Sequence, residues 1–147
     1  ESALKIELNE NVQELQEVGK DIIAKVHEQS KLSERLRMNY NIHESLEEEV
    51  HKLLNSLQPG TVLPIHRHLH PAKKETFILL QGALDVLQYN DNKEIINHCL
   101  MSHESGNIIC EIMPGEWHSL KVLQPDTLIL EIKKGPYLPF QDIDLLK

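Results

Sequence analysis

From residue 59 onward, turn-forming residues divide the chain at nearly even intervals. Pro59-Gly60, Asn90-Asp91-Asn92 and Pro114-Gly115 separate stretches rich in Leu, Ile and Val, and no helix-length period interrupts them. Short segments of this kind indicate an antiparallel sandwich or barrel and argue against a parallel α/β fold. The predicted strands are TVLPIHRH, ETFILL, ALDVLQY, EIINHCL, NIICEIM, HSLKVL and TLILEIK.

The first 57 residues carry a helical pattern instead. One apolar face recurs at three- and four-residue steps, and Asn9 or Asn11 can cap its start. A second helix is predicted over residues 45–57, with three glutamates early in it, where the helix dipole favours anions. We therefore expect a helical segment, residues 1–57, that packs on a β-barrel of residues 58–147. The two apolar faces consist of Val12, Leu15, Val18, Ile22, Ile23 and Val26, and of Leu46, Val50, Leu53, Leu54 and Leu57.

Composition narrows the classes of function. The formal net charge of -8 argues against nucleic acid as a partner, because duplex affinity comes largely from Lys and Arg on phosphates. No stretch approaches the length of a membrane helix, and we expect a cytoplasmic protein. Cys99 and Cys110 lie in apolar surroundings and are predicted to be reduced thiols. Several strands are apolar on both faces, so the helices or a second subunit must cover one face, which favours a homodimer.

Histidines are concentrated where the first predicted strand ends. In IHRHLHP, alternation along a strand directs His66 and His68 to one side and Arg67 to the other. Glu75 opens the next predicted strand and can add an oxygen ligand if the two strands pair. His118 starts a strand after Pro114-Gly115 and is a fourth candidate.

Three imidazoles and one carboxylate suit one divalent transition metal ion. The donor set does not distinguish Zn, Fe, Mn, Ni, Co and Cu, and it leaves coordination positions for water or a ligand. The remaining histidines are expected at the surface or as satisfied polar groups, and they are His27, His43, His51, His98 and His103.

These residues resemble the motifs of the cupin superfamily. PGTVLPIHRHLHPAKKETFILLQG, residues 59–82, resembles the first motif, and GNIICEIMPGEWHS, residues 106–119, resembles the second. RMNYNIHESL and EIKKGPY extend the likeness to the WbuC-type cupin-fold metalloproteins over roughly residues 35–138. The resemblance implies a jelly-roll β-barrel, here preceded by two helices, and a place in surface-polysaccharide metabolism.

The chain departs from that pattern at two places. The gap from His68 to Glu75 is two residues longer than usual, so counting back from Glu75 selects His68 and His70, whereas counting forward from Gly60 selects His66 and His68. We favour the forward count, because a loop can absorb insertions. The usual Asn after the second-motif His is Val122 here, a position not normally needed for the metal.

The resemblance leaves two classes of function open. One is a metal-dependent enzyme, of isomerase, epimerase or oxygenase type, acting on a small polar or sugar-derived molecule. Arg67, Lys73, Lys74 and Lys121 are then candidates for attracting an anionic substrate, and plain surface charge is the equally good alternative for each. The other is a non-catalytic module in which the metal stabilises the barrel or anchors a ligand.

Overall fold

The computed structural model describes residues 14–147, which form one helix followed by eight strands. The helix α1 spans Lys20–Leu32, and a short 3-10 turn spans Asp142–Asp144. The strands are β1 Arg37–Asn41, β2 Val50–Leu57, β3 Glu75–Gln81, β4 Leu84–Tyr89, β5 Ile95–Met101, β6 Ile109–Ile112, β7 Trp117–Val122 and β8 Thr127–Lys134. The last six of these strands lie where the apolar segments predicted them.

All strand pairs are antiparallel, and they form two sheets. The larger sheet has the order β1-β2-β8-β3-β6, and the smaller has the order β5-β4-β7. Their inner faces enclose an apolar core that includes Leu57, Phe77, Leu84, Met101 and Ile129. Within residues 14–147 the hydrogen-bonded sheets do not close on each other, so the architecture is a two-sheet sandwich and not the closed barrel that we expected.

The first predicted helix is present but starts later than its pattern indicated. α1 includes Ile22, Ile23 and Val26, whereas Leu15 and Val18 precede it, and Leu15 is 94% exposed. The helix covers the outer face of β2, where His27 Nδ1 lies 2.6 Å from Ser56 Oγ. Val12 and the proposed caps Asn9 and Asn11 lie outside the described residues.

The second predicted helix is wrong, because residues 50–57 form β2. His51, Leu53 and Leu57 lie on its inner face, while Leu54 and Ser56 are buried beneath α1 on the outer face. Burial on both faces removes the simple alternation of a strand and leaves apolar residues at spacings that resemble a helix. Pairing with β8 over the whole length of β2 decides the outcome.

Backbone hydrogen bonds are distributed differently on the two long sides of the sandwich, beside β7 and between β5 and β6. On one side, the segment around His66 runs beside β7, with backbone hydrogen bonds in both directions between His66 and His118 at 2.8 and 3.1 Å. Our prediction of a continuous strand over TVLPIHRH is wrong, since His66 forms only isolated bridges, to His118 and Leu145. The pairing with β3 that we considered for Glu75 is therefore absent among the described residues, where β3 pairs with β6 and β8.

On the other side, β5 and β6 are the free edges of their sheets. Among the described residues, the backbone hydrogen bonds connect these strands only through the turn that joins them, where Ser102 N donates to Asn107 O. Ile95, Ile96 and Ile109 are more than half exposed along this side. The homodimer expected from such apolar surface stays a prediction. No helix within the described residues is long and apolar enough to cross a membrane.

Candidate metal centre

The structure brings the four predicted ligand side chains together at one end of the sandwich. Glu75 is the first residue of β3 and points inward together with Phe77. His118 is the second residue of β7, and His66 and His68 come from the irregular segment beside it. One ligand atom from each of the four side chains lies within 4.8 Å of every other.

Backbone carbonyls fix the orientation of two of the rings. His66 Nδ1 lies 2.8 Å from Pro64 O, and His118 Nδ1 lies 2.9 Å from Glu116 O. A carbonyl oxygen only accepts, so each Nδ1 carries the proton and donates it. The Nε2 atom of each neutral ring therefore presents a lone pair to the cluster, which is the arrangement that metal-binding histidines use.

The contacts at Glu75 fit a cation in the middle of the cluster. His118 Nε2 lies 3.1 Å from Glu75 Oε1, and His68 Nε2 contacts the same oxygen. His68 Nε2 is buried without a hydrogen bond of acceptable geometry among the described residues. Lone pairs that face a carboxylate at these distances repel it unless a proton or a metal ion lies between them. The residues therefore fit a metal ion.

The electrostatic environment of the cluster favours the protonation states that bind a cation. While a proton takes the place of the ion between the rings and the carboxylate, burial acts to raise the pKa of Glu75, but its contacts with His118 and His68 hold that pKa well below its usual range. Burial, with His118 next in importance, lowers the pKa of His66 to about 3. The carboxylate is thus ionised and the His66 ring neutral at ordinary pH, as ligation requires.

The C-terminal segment holds the histidine segment from outside. Asp144, which is 3% exposed, accepts hydrogen bonds from Arg67 Nε at 3.1 Å and from the backbone N–H of His70 at 3.0 Å. His70 Nδ1 lies 2.9 Å from the same carboxylate. Our alternative ligand His70 is therefore engaged with Asp144 outside the four-residue cluster. Arg67, opposite the two ligands, also stacks on Trp117, with its guanidinium 4.3 Å from the ring centroid.

Phe140 covers the cluster on this outer side. Its ring centroid lies 4.8 Å from that of His66 and 5.3 Å from that of His68. The remaining cleft beside it holds about 30 Å³ and includes Lys73, whose Nζ donates to Pro136 O at 2.5 Å. Sequence reasoning missed this cover because Phe140 lies in an irregular segment without periodicity.

A second buried carboxyl group, Glu131, lies close to the cluster. Glu131 faces inward on β8 and is 9% exposed. It lies directly opposite Phe77, which follows Glu75 by two residues on β3. Burial, followed by repulsion from Glu75, raises the pKa of Glu131 to about 7. Such a group can give or take a proton near neutral pH. Sequence reasoning found no second acid or base, because LILEIK reads as an ordinary strand in which a Glu belongs to the solvent side.

Glu131 should make the stability of the metal-free protein depend on pH. Because its folded pKa lies near 7, above the ordinary 4.5, the native state binds more protons between these values. The free energy of unfolding should therefore fall as pH rises through this window. Glu131→Gln should abolish this part of the decline, which is about 3 kcal/mol. Urea denaturation of chelator-treated protein at several pH values measures it.

Glu104→Gln is the matched control, since Glu104 is exposed in the loop between β5 and β6. It should keep the wild-type pH dependence. Equal pH dependence in Glu131→Gln and wild type would contradict a raised pKa at Glu131.

The other histidines lie away from the cluster, in agreement with the sequence prediction. His27 contacts Ser56, His98 Nδ1 lies 2.9 Å from Asp85, and His43 stacks on His51 with ring centroids 4.0 Å apart. Cys99 and Cys110 are free thiols, as expected.

The antiparallel two-sheet fold, with three histidines and one glutamate converging at one end, defines a cupin-fold protein. The chain belongs to the family described as Domain of unknown function (DUF6016), whose model matches residues 18–101, more than half of the chain. No curated protein matches it.

Solved structures with the same fold are distant in sequence. KdgF from Halomonas sp. is 15% identical with a TM-score of 0.50, over 73% of this chain and 82% of that one. The Cnp3 cupin domain of Schizosaccharomyces pombe is 12% identical with a TM-score of 0.52, over 67% and 64%. The Bacillus subtilis oxalate decarboxylase, described with Mn(II) centres, is 14% identical with a TM-score of 0.51, over 76% of this chain and 27% of that one. At these identities the likeness shows the fold alone.

Proposed function

We propose that this protein binds one divalent transition metal ion through His66, His68, Glu75 and His118, and uses it on a small polar or sugar-type ligand. The observation that carries the proposal is the convergence of four ligand atoms within 4.8 Å. The backbone contacts of His66 and His118, which direct both Nε2 lone pairs inward, support it independently.

The chain's own residues suit a reactive site better than a purely structural one. A bound ion would supply Lewis-acid or redox chemistry. Glu75 would balance part of its charge, and Phe140 would exclude water from the outer side. Glu131 would hold or release a proton within the protein interior, close to Glu75.

A cavity that reaches the cluster separates the two classes of function. His118 lines a cavity of about 310 Å³ on the inner side, large enough for a small ligand. This access favours a metal-dependent enzyme, of isomerase, epimerase or oxygenase type. The alternative, a non-catalytic module with a metal-stabilised fold, would need no such space beside a ligand residue.

The finer family assignment and the identity of the metal belong to the proposal as well. The motif resemblance supports a WbuC-type protein of surface-polysaccharide metabolism. The donor set suits several divalent first-row ions. The Mn(II) centres of the distant oxalate decarboxylase support manganese as one candidate among them.

Elemental analysis of protein purified without an affinity tag tests the proposal. We expect about one equivalent of a transition metal per chain, lost on treatment with a chelator and restored by adding the ion back. A chain that contains no metal and takes none up on soaking would overturn it.

A further inference from the structure

The cavity beside the candidate metal centre has a chemical character that selects a ligand. It lies between the free edges β5 and β6, holds about 310 Å³ and ends at His118. We propose that it binds an uncharged, hydroxyl-rich ligand, such as a neutral monosaccharide unit, and that it disfavours anionic sugars. This inference rests on the proposed function, because the cavity ends at a ligand of the metal.

Three polar side chains form one row across the smaller sheet. Gln88 on β4 lies opposite Asn97 on β5 and opposite His118 on β7. The next row of inward-facing residues lies two positions further along each strand, away from the candidate metal centre. It consists of Cys99, Val86 and Leu120. A ligand that reaches the metal at His118 would therefore pass along two amide groups.

The hydrogen-bonding capacity of these amides matches hydroxyl groups. Gln88 Nε2 donates to Glu116 Oε2 at 2.7 Å, which leaves Gln88 Oε1 as an acceptor. Asn97 Oδ1 accepts from the backbone N–H of His98 at 2.9 Å, which leaves its NH₂ group as a donor. A hydroxyl group can both donate and accept, so one ligand hydroxyl can satisfy either amide.

The apolar wall of the cavity suits the C–H face of a sugar ring. Val86 and Ile112, which are 5% and 7% exposed, contribute to the lining from opposite sheets. Cys99 and Cys110 line the cavity between them, and burial raises the pKa of Cys110 to about 12, so it stays an uncharged thiol. An apolar wall facing a polar row is the usual character of small-molecule sites.

The charges of the lining argue against an anion. No Lys or Arg is among the described residues that line the cavity, whereas Glu116 is, and its carboxylate accepts from Gln88 in the polar row. The carboxylate of Glu111 contacts Thr76 and Lys74 instead. Protein sites for carboxylates and phosphates ordinarily contain Arg or Lys. The metal would be the one positive charge that such a ligand meets, and Glu116 would repel it.

The four cations that the sequence suggested as anion attractors lie elsewhere. Arg67 is paired with Asp144, and Lys73 contacts Pro136 on the outer side of the cluster. Lys74 is paired with Glu111, 3.6 Å away, and Lys121 is exposed on β7. The expectation of an anionic substrate based on these residues is therefore not supported by their positions.

Titration of zinc-loaded, ¹⁵N-labelled protein with matched sugars tests the inference. The neutral probes are D-glucose, D-galactose and L-rhamnose, and the anionic probes are D-glucuronate and D-galacturonate. We expect at least one neutral sugar to shift the side-chain NH₂ signals of Gln88 and Asn97. The uronate of the same ring should bind about fivefold or more weakly, because of repulsion by Glu116.

Two variants and one control separate the contributions of charge and hydrogen bonding. Glu116→Gln should narrow the difference in affinity between neutral and anionic sugars. Glu104→Gln removes one negative charge at a position away from the cavity and should leave that difference in affinity unchanged. Gln88→Leu should weaken neutral-sugar binding. A uronate that binds as tightly as its neutral counterpart, or an unchanged difference in Glu116→Gln, would overturn the inference.

Metal content measured on the same samples separates this inference from the proposed function. If the protein holds one equivalent of zinc but none of the neutral sugars binds, the ligand assignment alone is wrong. If the protein holds no zinc, the proposed function fails.

Discussion

His118→Ala is expected to weaken metal binding by at least about 100-fold, since even the outer partners of metal ligands contribute 10- to 100-fold. His118 lies 3% exposed within the cluster, and its Nε2 lone pair is aimed there by the Nδ1 contact with Glu116 O. The same loss is expected for His66→Ala. Elemental analysis after dialysis, together with competition against a chromogenic chelator, measures both.

His70→Ala is the control that decides between the two possible ligand pairs of the first motif, which are His66 with His68 and His68 with His70. His70 is engaged with Asp144 and is not one of the four clustered residues, so this variant should keep most of the metal. Circular dichroism would establish that each variant is folded. Metal loss in His70→Ala equal to that in His66→Ala, or stoichiometric metal in the His66→Ala/His118→Ala double variant, would contradict the ligand set.

Gly82→Ala is expected to lower the free energy of unfolding by about 3 kcal/mol or more. Gly82 has a φ of +81° at the turn between β3 and β4, a conformation that costs an L-residue energy in any surroundings. A methyl group there would also contact Thr127 Oγ1 and approach Thr127 Cα to 2.7 Å. Thr127 is fully buried, so the backbone itself would have to move. Urea denaturation measures the change.

Gly106→Ala separates the backbone strain from the steric overlap. Gly106 has a similar φ of +77°, but a methyl group there would meet nothing within 4 Å. It should cost only about 1 kcal/mol, the strain alone. Similar losses in the two variants would show that the contact with Thr127 is relieved without cost.

The β-rich half of the fold was predictable because its strands are short, apolar and bounded by turns. Each of β3 to β8 lies within or beside a segment that the turn pattern had isolated. The first third was less predictable, since β2 is buried by α1 on one face and by the core on the other. Of its two pairing partners, β1 directly precedes it, but β8 lies some 75 residues further along the chain, and no local pattern in the sequence carries that information.

The candidate site was predictable to the extent that local spacing determines it. Alternation placed His66 and His68 on one side, and the turn at Pro114-Gly115 drew attention to His118. The spacing could not predict which other side chains lie next to these residues. Glu131 reaches the cluster only through the pairing of β8 with β3, and Asp144 only through the path of the C-terminal segment.

The unequal sides of the sandwich have a mechanical consequence. On one side, backbone hydrogen bonds between His66 and His118 attach the histidine segment to β7. On the opposite side the backbone hydrogen bonds of the described residues join β5 and β6 only at their turn, and the cavity lies toward that side. Because Glu75 lies on β3 and His118 on β7, a change in the angle between the sheets would alter the width of the cavity and the separation of these two side chains together. An ion held between them would therefore limit how far the sheets can separate.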